Sequence, residues 1–384
     1  MEPSPEPQAK VRRQTQPLMR SANKFFLLFL GFFALYALTA QRGVAWGDSA
    51  EFQDWILRET AFVCGPQFSN AHPFYVAFAR LVAPTPFAVT LVSALFGALA
   101  VGGLFLCTRR VALAALFGLS QMLWWLSTLA EVQTMNLAFT VFETACLLRA
   151  LEGDTDAAVA APSPRRRALW LSLAALLAGA HLGVHNFALL ALPVYAAILV
   201  RLVVRRELRL GAAALVVLCW CAGASVWLYY FATRGPLDVL VGSYGAKVAG
   251  ILPTNLAETA FNFALAALSF FVPGVLVWWG RRTWTLERTW VTALFAINAL
   301  FFVRYFVPDQ SQFLLPTLFF AYVLLRRVEV RPSRAAALAL MQVVLPVMLY
   351  LIAVQLPVPE ERQARHPGRD DARYFILPWK GAFP

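Results

Sequence analysis

Three acids crowd into the stretch GVAWGDSAEFQDW, residues 43–55, directly behind a long apolar run. Asp48 and Glu51, three residues apart, carry the most chemical interest. A carboxylate can take the proton of a hydroxyl, and a neighbouring one can share that proton or position the acceptor. The spacing also has a plainer meaning. Asp followed three residues later by Glu approximates a capping box, with Asp48 accepting a backbone N–H and Glu51 at the third helical position. The helix so started would carry Phe52, Trp55 and Ile56 as an apolar stripe, flanked by Glu51, Asp54 and Arg58, as an interfacial helix does. Spacing alone leaves capping and catalysis both open.

Other polar residues recur at comparable places. In SNAHPFYVAF, His72 precedes Pro73, which predicts an extended backbone at His72 and a new helix after it. A solvated loop histidine fits the same pattern. STLAEVQTMN puts Glu131 and Asn136 at the junction of two apolar runs, where a carboxylate can stay hydrated or meet a cation. AGAHLGVHNF sets His181 and His185 four apart, on one face if the helix continues. Two histidines at that spacing can hold zinc, but no Glu follows the first as in HExxH, and no metal site is predicted. RYFVPDQSQFLLP supplies Asp309 and reads by itself as a turn.

The elements that must position these groups are apolar helices. Of the 384 residues 60% are hydrophobic and only 14% charged, which lies outside the soluble norm and predicts an all-α polytopic membrane protein. Spans are expected near 25–40, 87–107, 111–129, 132–150, 168–184, 187–204, 210–232, 259–280, 289–306, 313–325 and 335–356, eleven in all. Residues 1–24 form a basic, Pro-rich cytoplasmic tail, 25–356 the membrane domain and 357–384 a short outer tail. The first apolar run is expected to remain as an uncleaved span, because Leu38 and Ala40 make a poor small-x-small cleavage site.

With the N-terminus in the cytoplasm, 22 of the 33 Lys and Arg fall on the inner side, as the positive-inside rule asks. The net charge of +12 thus marks topology. Basic residues are neither gathered on one face nor interleaved with aromatic ones, so nucleic acid is not an expected partner. Cys107, Cys146, Cys219 and Cys221 lie in or at the ends of apolar runs and leave Cys64 alone, which provides no disulfide framework. The outer loops 41–86 and 233–258 share one aqueous face with the C-terminus, and interfacial helices are expected in the first. That face collects Asp48, Glu51, Asp54, His72, Glu131, His181, His185, Arg234, Asp238 and Asp309. Glu143, in the middle of the fourth expected span, is the exception.

As a set, GDSAEF after the first span, AHPFYV about twenty residues on, AEVQTMN before the fourth span, GVHN at the sixth and PDQSQFLLP near the tenth resemble the membrane family called domain of unknown function 2723. That family sits among the GT-C glycosyltransferases and is similar to the endoplasmic-reticulum protein O-mannosyltransferase that modifies receptor ectodomains. The likeness runs over roughly residues 25–325. Ala50 stands where the family has glycine, HPFYVAF replaces HPPGYPL, and Gln133 replaces the tyrosine of EVY.

The resemblance implies a GT-C-like fold and transfer of a sugar, for instance a mannose-like hexose, from a polyprenyl-phosphate carrier. The acceptor would be a hydroxyl of a protein, glycan or lipid on the non-cytoplasmic face. It makes Asp48 the base and Glu51 its companion, with inversion at the anomeric carbon. His72, Glu131, Asn136, His185, Arg234 and Asp309 are the expected substrate-binding residues. By depth and charge, Arg234, His185 or Arg304 would hold the carrier phosphate. No cofactor is implied beyond the lipid-linked donor, a divalent metal is left open, and membrane lipids are the surroundings. The Ala-, Leu- and Arg-rich composition favours a bacterial plasma membrane. Two other classes fit parts of the pattern: a transporter or flippase of lipid-linked sugar, which Glu143 favours, and a noncatalytic scaffold docking through 41–86.

Overall fold

The computed structural model describes residues 6–44, 47–59, 61, 68, 71–151, 162–241, 256–279, 286–305, 310–353, 355 and 376–377. Every regular element among them is helical. The first helix, α1 (Glu6–Thr39), carries the basic start of the chain straight into the first apolar run. Two short helices follow in the stretch 41–86, α2 (Asp48–Leu57) and α3 (Pro73–Val82), where the sequence predicts helices. Next come α4 (Pro86–Thr108), α5 (Val111–Gly118), α6 (Gln121–Ser127), α7 (Gln133–Leu151), α8 (Pro164–His181), α9 (Ala188–Val204), α10 (Leu210–Gly223) and α11 (Ser225–Arg234). A π turn at Leu237–Val241 leads on to α12 (Leu256–Trp279), α13 (Leu286–Arg304), a 3-10 turn at Gln310–Leu314, α14 (Leu315–Leu324) and α15 (Pro332–Ala353).

Local chemistry sets several of these ends. Thr85 caps α4, its hydroxyl accepting the Ala88 N–H at 3.2 Å, with Pro86 at the first helical position. Ser163 and Pro164 start α8 in the same way, the Arg166 N–H reaching Ser163 Oγ at 3.4 Å. Helices α4, α7, α8 and α10 pack in sequence, α1 lies against α4, and α14 with α13 closes the other side. The principal core gathers Tyr36, Leu104, Phe117, Leu123, Phe319 and Tyr322. Tyr36 is buried but not orphaned, since its hydroxyl donates to the Gly118 carbonyl at 2.7 Å.

A helix or helix pair occupies each of the eleven expected spans, but they are not alike. Four are by themselves long and apolar enough to cross a bilayer, 21–39, 86–108, 259–278 and 332–352, and α10 with α11 would add a fifth across a 66° bend. Segment 111–129 is broken at Leu119–Ser120 into α5 and α6. Segment 313–325 reduces to a 3-10 turn and the ten-residue α14. Helix α7 is long but polar, burying Gln133, Asn136, Thr140 and Glu143. Polar and broken helices at membrane depth are tolerated where protein surrounds them. The chain is an integral membrane protein with these polar segments inside its bundle.

Candidate active site

Asp48 does not cap α2. Gly47 does, in a conformation (φ 55°, ψ −137°) that side-chain-bearing residues rarely adopt, and Asp48 becomes the first helical residue. The helix hangs instead on the Gly47 carbonyl, which accepts the N–H groups of Ala50 (2.9 Å) and Glu51 (3.2 Å). Capping-box spacing misled because it cannot see that the preceding glycine has taken the turn. Both acids still lie in the first turn, where the helix dipole favours negative charge.

The opposite face of α2 is fixed in place. Phe52 and Ile56 are buried with Tyr75, Val76 and Val92. Ser49 Oγ donates to Glu131 Oε1 at 3.1 Å, and Gln53 Nε2 reaches the carbonyls of Gly43 (3.3 Å) and Pro86 (3.1 Å). Glu131, expected to contact substrate, is buried here and braces α2 from below. Asp48 and Glu51 remain exposed on the rim. The Glu51 carboxyl is raised above its ordinary value, by partial burial first and by the Asp48 charge second. Asp54 pairs with Arg58 at 3.1 Å on the surface and takes no part in the rim pair.

His72 departs from expectation. Its backbone is left-handed (φ 44°, ψ 54°) rather than extended, a costly state before proline. The cost is offset by two bonds to the loop after α8: His72 Nδ1–H donates to the Val184 carbonyl at 2.7 Å, and the Phe74 N–H donates to the Gly183 carbonyl at 3.0 Å. Gly183 also makes room for a side chain, because a Cβ there would sit 2.9 Å from the Phe74 ring. The His72 ring lies 5.0 Å from that of His185 and 5.6 Å from Phe52, the neighbour of Glu51. Burial lowers His72 to about 4, and it lowers His185 well below the usual range, with His72 and then His181 adding to the effect. Both imidazoles are neutral at pH 7. His185 is therefore a hydrogen-bonding group rather than a cation for phosphate.

His181 and His185 do not share a helix face. Helix α8 stops at His181, and the carbonyl of His181 takes the N–H groups of both Val184 and His185 at 2.8 Å in a tight turn. His181 points inward, its Nδ1 2.7 Å from Glu143 Oε1 and its Nε2 2.5 Å from Asn136 Oδ1. Tyr195 O–H donates to the other Glu143 oxygen at 3.0 Å. Asn136 Nδ2 lies 3.2 Å from Gln133 Oε1, and Gln133 Nε2 lies 3.4 Å from His185 Nε2. Asn136 is thus buried within an internal chain of polar groups running from Glu143 to His185. A small cavity, with room for about one water, opens beside it between Thr140, Glu143, His181 and Asn298.

Sequence reasoning noticed Glu143 and His181 separately but missed their pairing, along with Gln133 and Tyr195. The only signal was two ionisable residues inside apolar runs, and nothing in their spacing says that they meet. Arg234, at the end of α11, pairs with Asp238 at 3.7 Å and stacks over Tyr230, remaining 39% exposed. Beside it Asn186 of GVHN accepts from Trp227 and donates to the Val239 carbonyl. Asp309 lies outside the described residues. Among the described residues no group of three or more His, Cys, Asp or Glu gathers as a metal site.

Against solved structures the helical arrangement has a counterpart. The fold is ArnT-like. The chain superposes on "Crystal Structure of ArnT from Cupriavidus metallidurans bound to Undecaprenyl phosphate" with a TM-score of 0.62 at 15% identity, covering 93% of this chain and 75% of that one. The apo structure of the same ArnT gives 0.60 at 16% identity, with 94% and 75% covered. By sequence, residues 111–210, from α5 to the start of α10, match the family described as protein O-mannosyl-transferase TMEM260 N-terminal domain. That stretch holds Glu131, Gln133, Asn136, Glu143, His181 and His185, and it stops short of Asp48. No curated protein sequence matches the chain.

Proposed function

We propose that the chain is a GT-C-type membrane glycosyltransferase moving a sugar from a polyprenyl-phosphate carrier to a hydroxyl acceptor on the non-cytoplasmic face. The observation that carries this reading is an ArnT-like fold over 93% of the chain with an exposed acid pair where its first outer loop begins a helix. ArnT was crystallised with undecaprenyl phosphate, which favours a lipid-phosphate donor. The TMEM260 likeness favours a mannose-like hexose and a protein hydroxyl.

In this reading Asp48 removes the acceptor's proton as the acceptor oxygen attacks the anomeric carbon. The bond from that carbon to the phosphate oxygen breaks, the configuration inverts, and the lipid phosphate leaves with the electron pair. Glu51, with its raised carboxyl, shares the proton or orients the acceptor. The cationic role toward the leaving phosphate falls to Arg234 and Arg304, since His185 is neutral. Arg234 is already oriented by Asp238 and Tyr230, and a guanidinium suits a bidentate grip on phosphate. A bacterial plasma membrane with the N-terminus inside would place this face in the periplasm. The transport reading leaned on Glu143, whose two oxygens are both engaged by neighbouring side chains.

The test compares glycans and glycoproteins by mass spectrometry in a deletion strain and in a strain carrying Asp48→Asn. The same sugar modification should vanish from both. Profiles unchanged in both strains would overturn the transferase reading.

A further inference from the structure

The buried chain from Glu143 to His185 can be resolved by counting protons. Phe187 N–H donates to His185 Nδ1 at 3.2 Å, which biases a neutral His185 toward carrying its single proton on Nε2 without alone fixing it there. Its Nε2 neighbour is the Gln133 amide at 3.4 Å, which must then present oxygen to receive that proton. The orientation of a side-chain amide is set by its partners, and each link now fixes the next. With the oxygen and nitrogen of both amides exchanged, Gln133 presents its NH2 to the Asn136 oxygen, Asn136 presents its NH2 to His181 Nε2, and His181 donates Nδ1–H to Glu143. Glu143 closes the chain as acceptor, with Tyr195 O–H on its other oxygen. The reverse direction fails. A His181 donating from both nitrogens would drive a Gln133 N–H onto His185 Nε2, and with Phe187 on Nδ1 the ring would have no site for its proton.

We infer that Glu143 is a positioning residue for the outer site: as the terminal acceptor of this chain it fixes the proton of His185 on Nε2, leaving His72 Nε2 as the imidazole nitrogen offered to substrate. His72 has the opposite tautomer, because its Nδ1–H is held by the Val184 carbonyl at 2.7 Å. The two effects share one hinge. Val184 and His185 both hang by their N–H groups on the His181 carbonyl, so anchoring the His181 ring also anchors the carbonyl that holds His72. An Nε2 lone pair on a neutral ring, beside Phe52, is suited to accept from an uncharged hydroxyl of the sugar or the acceptor, not to grip phosphate. This inference rests on the transferase reading for its substrate, and on the hydrogen bonds and the buried, neutral state of His185 for its tautomers.

With only four histidines in the chain, nitrogen-15 histidine labelling of the full-length protein in nanodiscs, assigned by single substitutions, reads each ring directly. The wild type should show His185 protonated at Nε2 and His72 at Nδ1. Glu143→Leu should leave the protein folded but mix the His185 tautomers. Transfer should then fall roughly five- to tenfold in kcat, in line with losing a buried coupling network, with donor KM changed less than twofold. Glu143→Gln, which keeps an acceptor oxygen, should retain the wild-type tautomers and most of the rate. In a His185→Ala background Glu143→Leu should cost less than it does in the wild type, keeping only the part carried through Val184 to His72, whereas a merely structural role would make the two losses additive. His185 protonated at Nδ1 in the wild type, or unmoved by Glu143→Leu, overturns the inference. Correct tautomers in a protein that transfers no sugar would instead overturn the transferase reading and leave the positioning chain intact.

Discussion

The molecule holds two carboxylate settings of opposite character. On the rim, Asp48 and Glu51 stand exposed in the first turn of a helix whose other face is packed and hydrogen-bonded. About the middle of α7, Glu143 is almost fully buried, with both oxygens occupied by His181 and Tyr195. A base must reach a mobile substrate and release its proton to water, so it belongs where solvent and acceptor arrive. A carboxylate sealed inside protein is costly unless it is partnered, and burial closes the approach that a substrate would need. Exposure thus separates a group that reacts from a group that arranges.

The strongest challenge to that contrast is Asp48→Asn, which keeps the size of an exposed side chain and removes only the base. We expect transfer to fall by about 10²- to 10⁴-fold with the thermal midpoint unchanged. A loss no larger than that of Glu143→Leu would erase the distinction. Next comes Gly183→Ala, whose Cβ would meet the Phe74 ring at 2.9 Å. Overpacking of this kind costs about 1–3 kcal/mol and should appear as a lowered midpoint together with weakened transfer, because the histidine loop must shift.

A smaller effect should come from acid titration. His72 has a folded pKa near 4 against the ordinary 6.5, so below pH 6.5 the unfolded chain takes up the proton first. Stability attributable to this group is complete above pH 6.5 and declines as the pH falls toward 4. His72→Gln should flatten that part of a stability-against-pH curve, and an unchanged slope would show that His72 is not held neutral. The smallest effect is expected from Asp54→Asn. Its i,i+4 partner Arg58 is largely exposed, so stability should move by at most about 0.5 kcal/mol and transfer not at all.

What was legible in the sequence followed short-range rules. The apolar stripe of Phe52 and Ile56, the Asp54–Arg58 pair and the two helices within 41–86 are consequences of helical periodicity, and each is present. So is a helix or helix pair at each of the expected spans. Legibility failed where a neighbour took over a role, as when Gly47 rather than Asp48 turned the chain into α2. It failed again where tertiary bonds overrode a local preference, as at His72, whose left-handed backbone is offset only by carbonyls from the loop after α8. The Glu143–His181 contact links positions 38 apart on different helices, and no spacing rule reaches across helices. Broken spans such as α5 and α6 were hidden for a related reason: hydropathy averages across a break that protein packing tolerates.

The seat that Gly183 leaves for Phe74 couples two motifs that sequence reading treats as separate. HPFY and GVHN lie more than a hundred residues apart, yet one residue is a ring and the other the hollow it fills. Related chains should therefore vary at these two positions as a unit. A lineage with a larger residue at the position of Gly183 should carry a smaller one at the position of Phe74, and chimeras that exchange only one segment should fold less well than chimeras that exchange both.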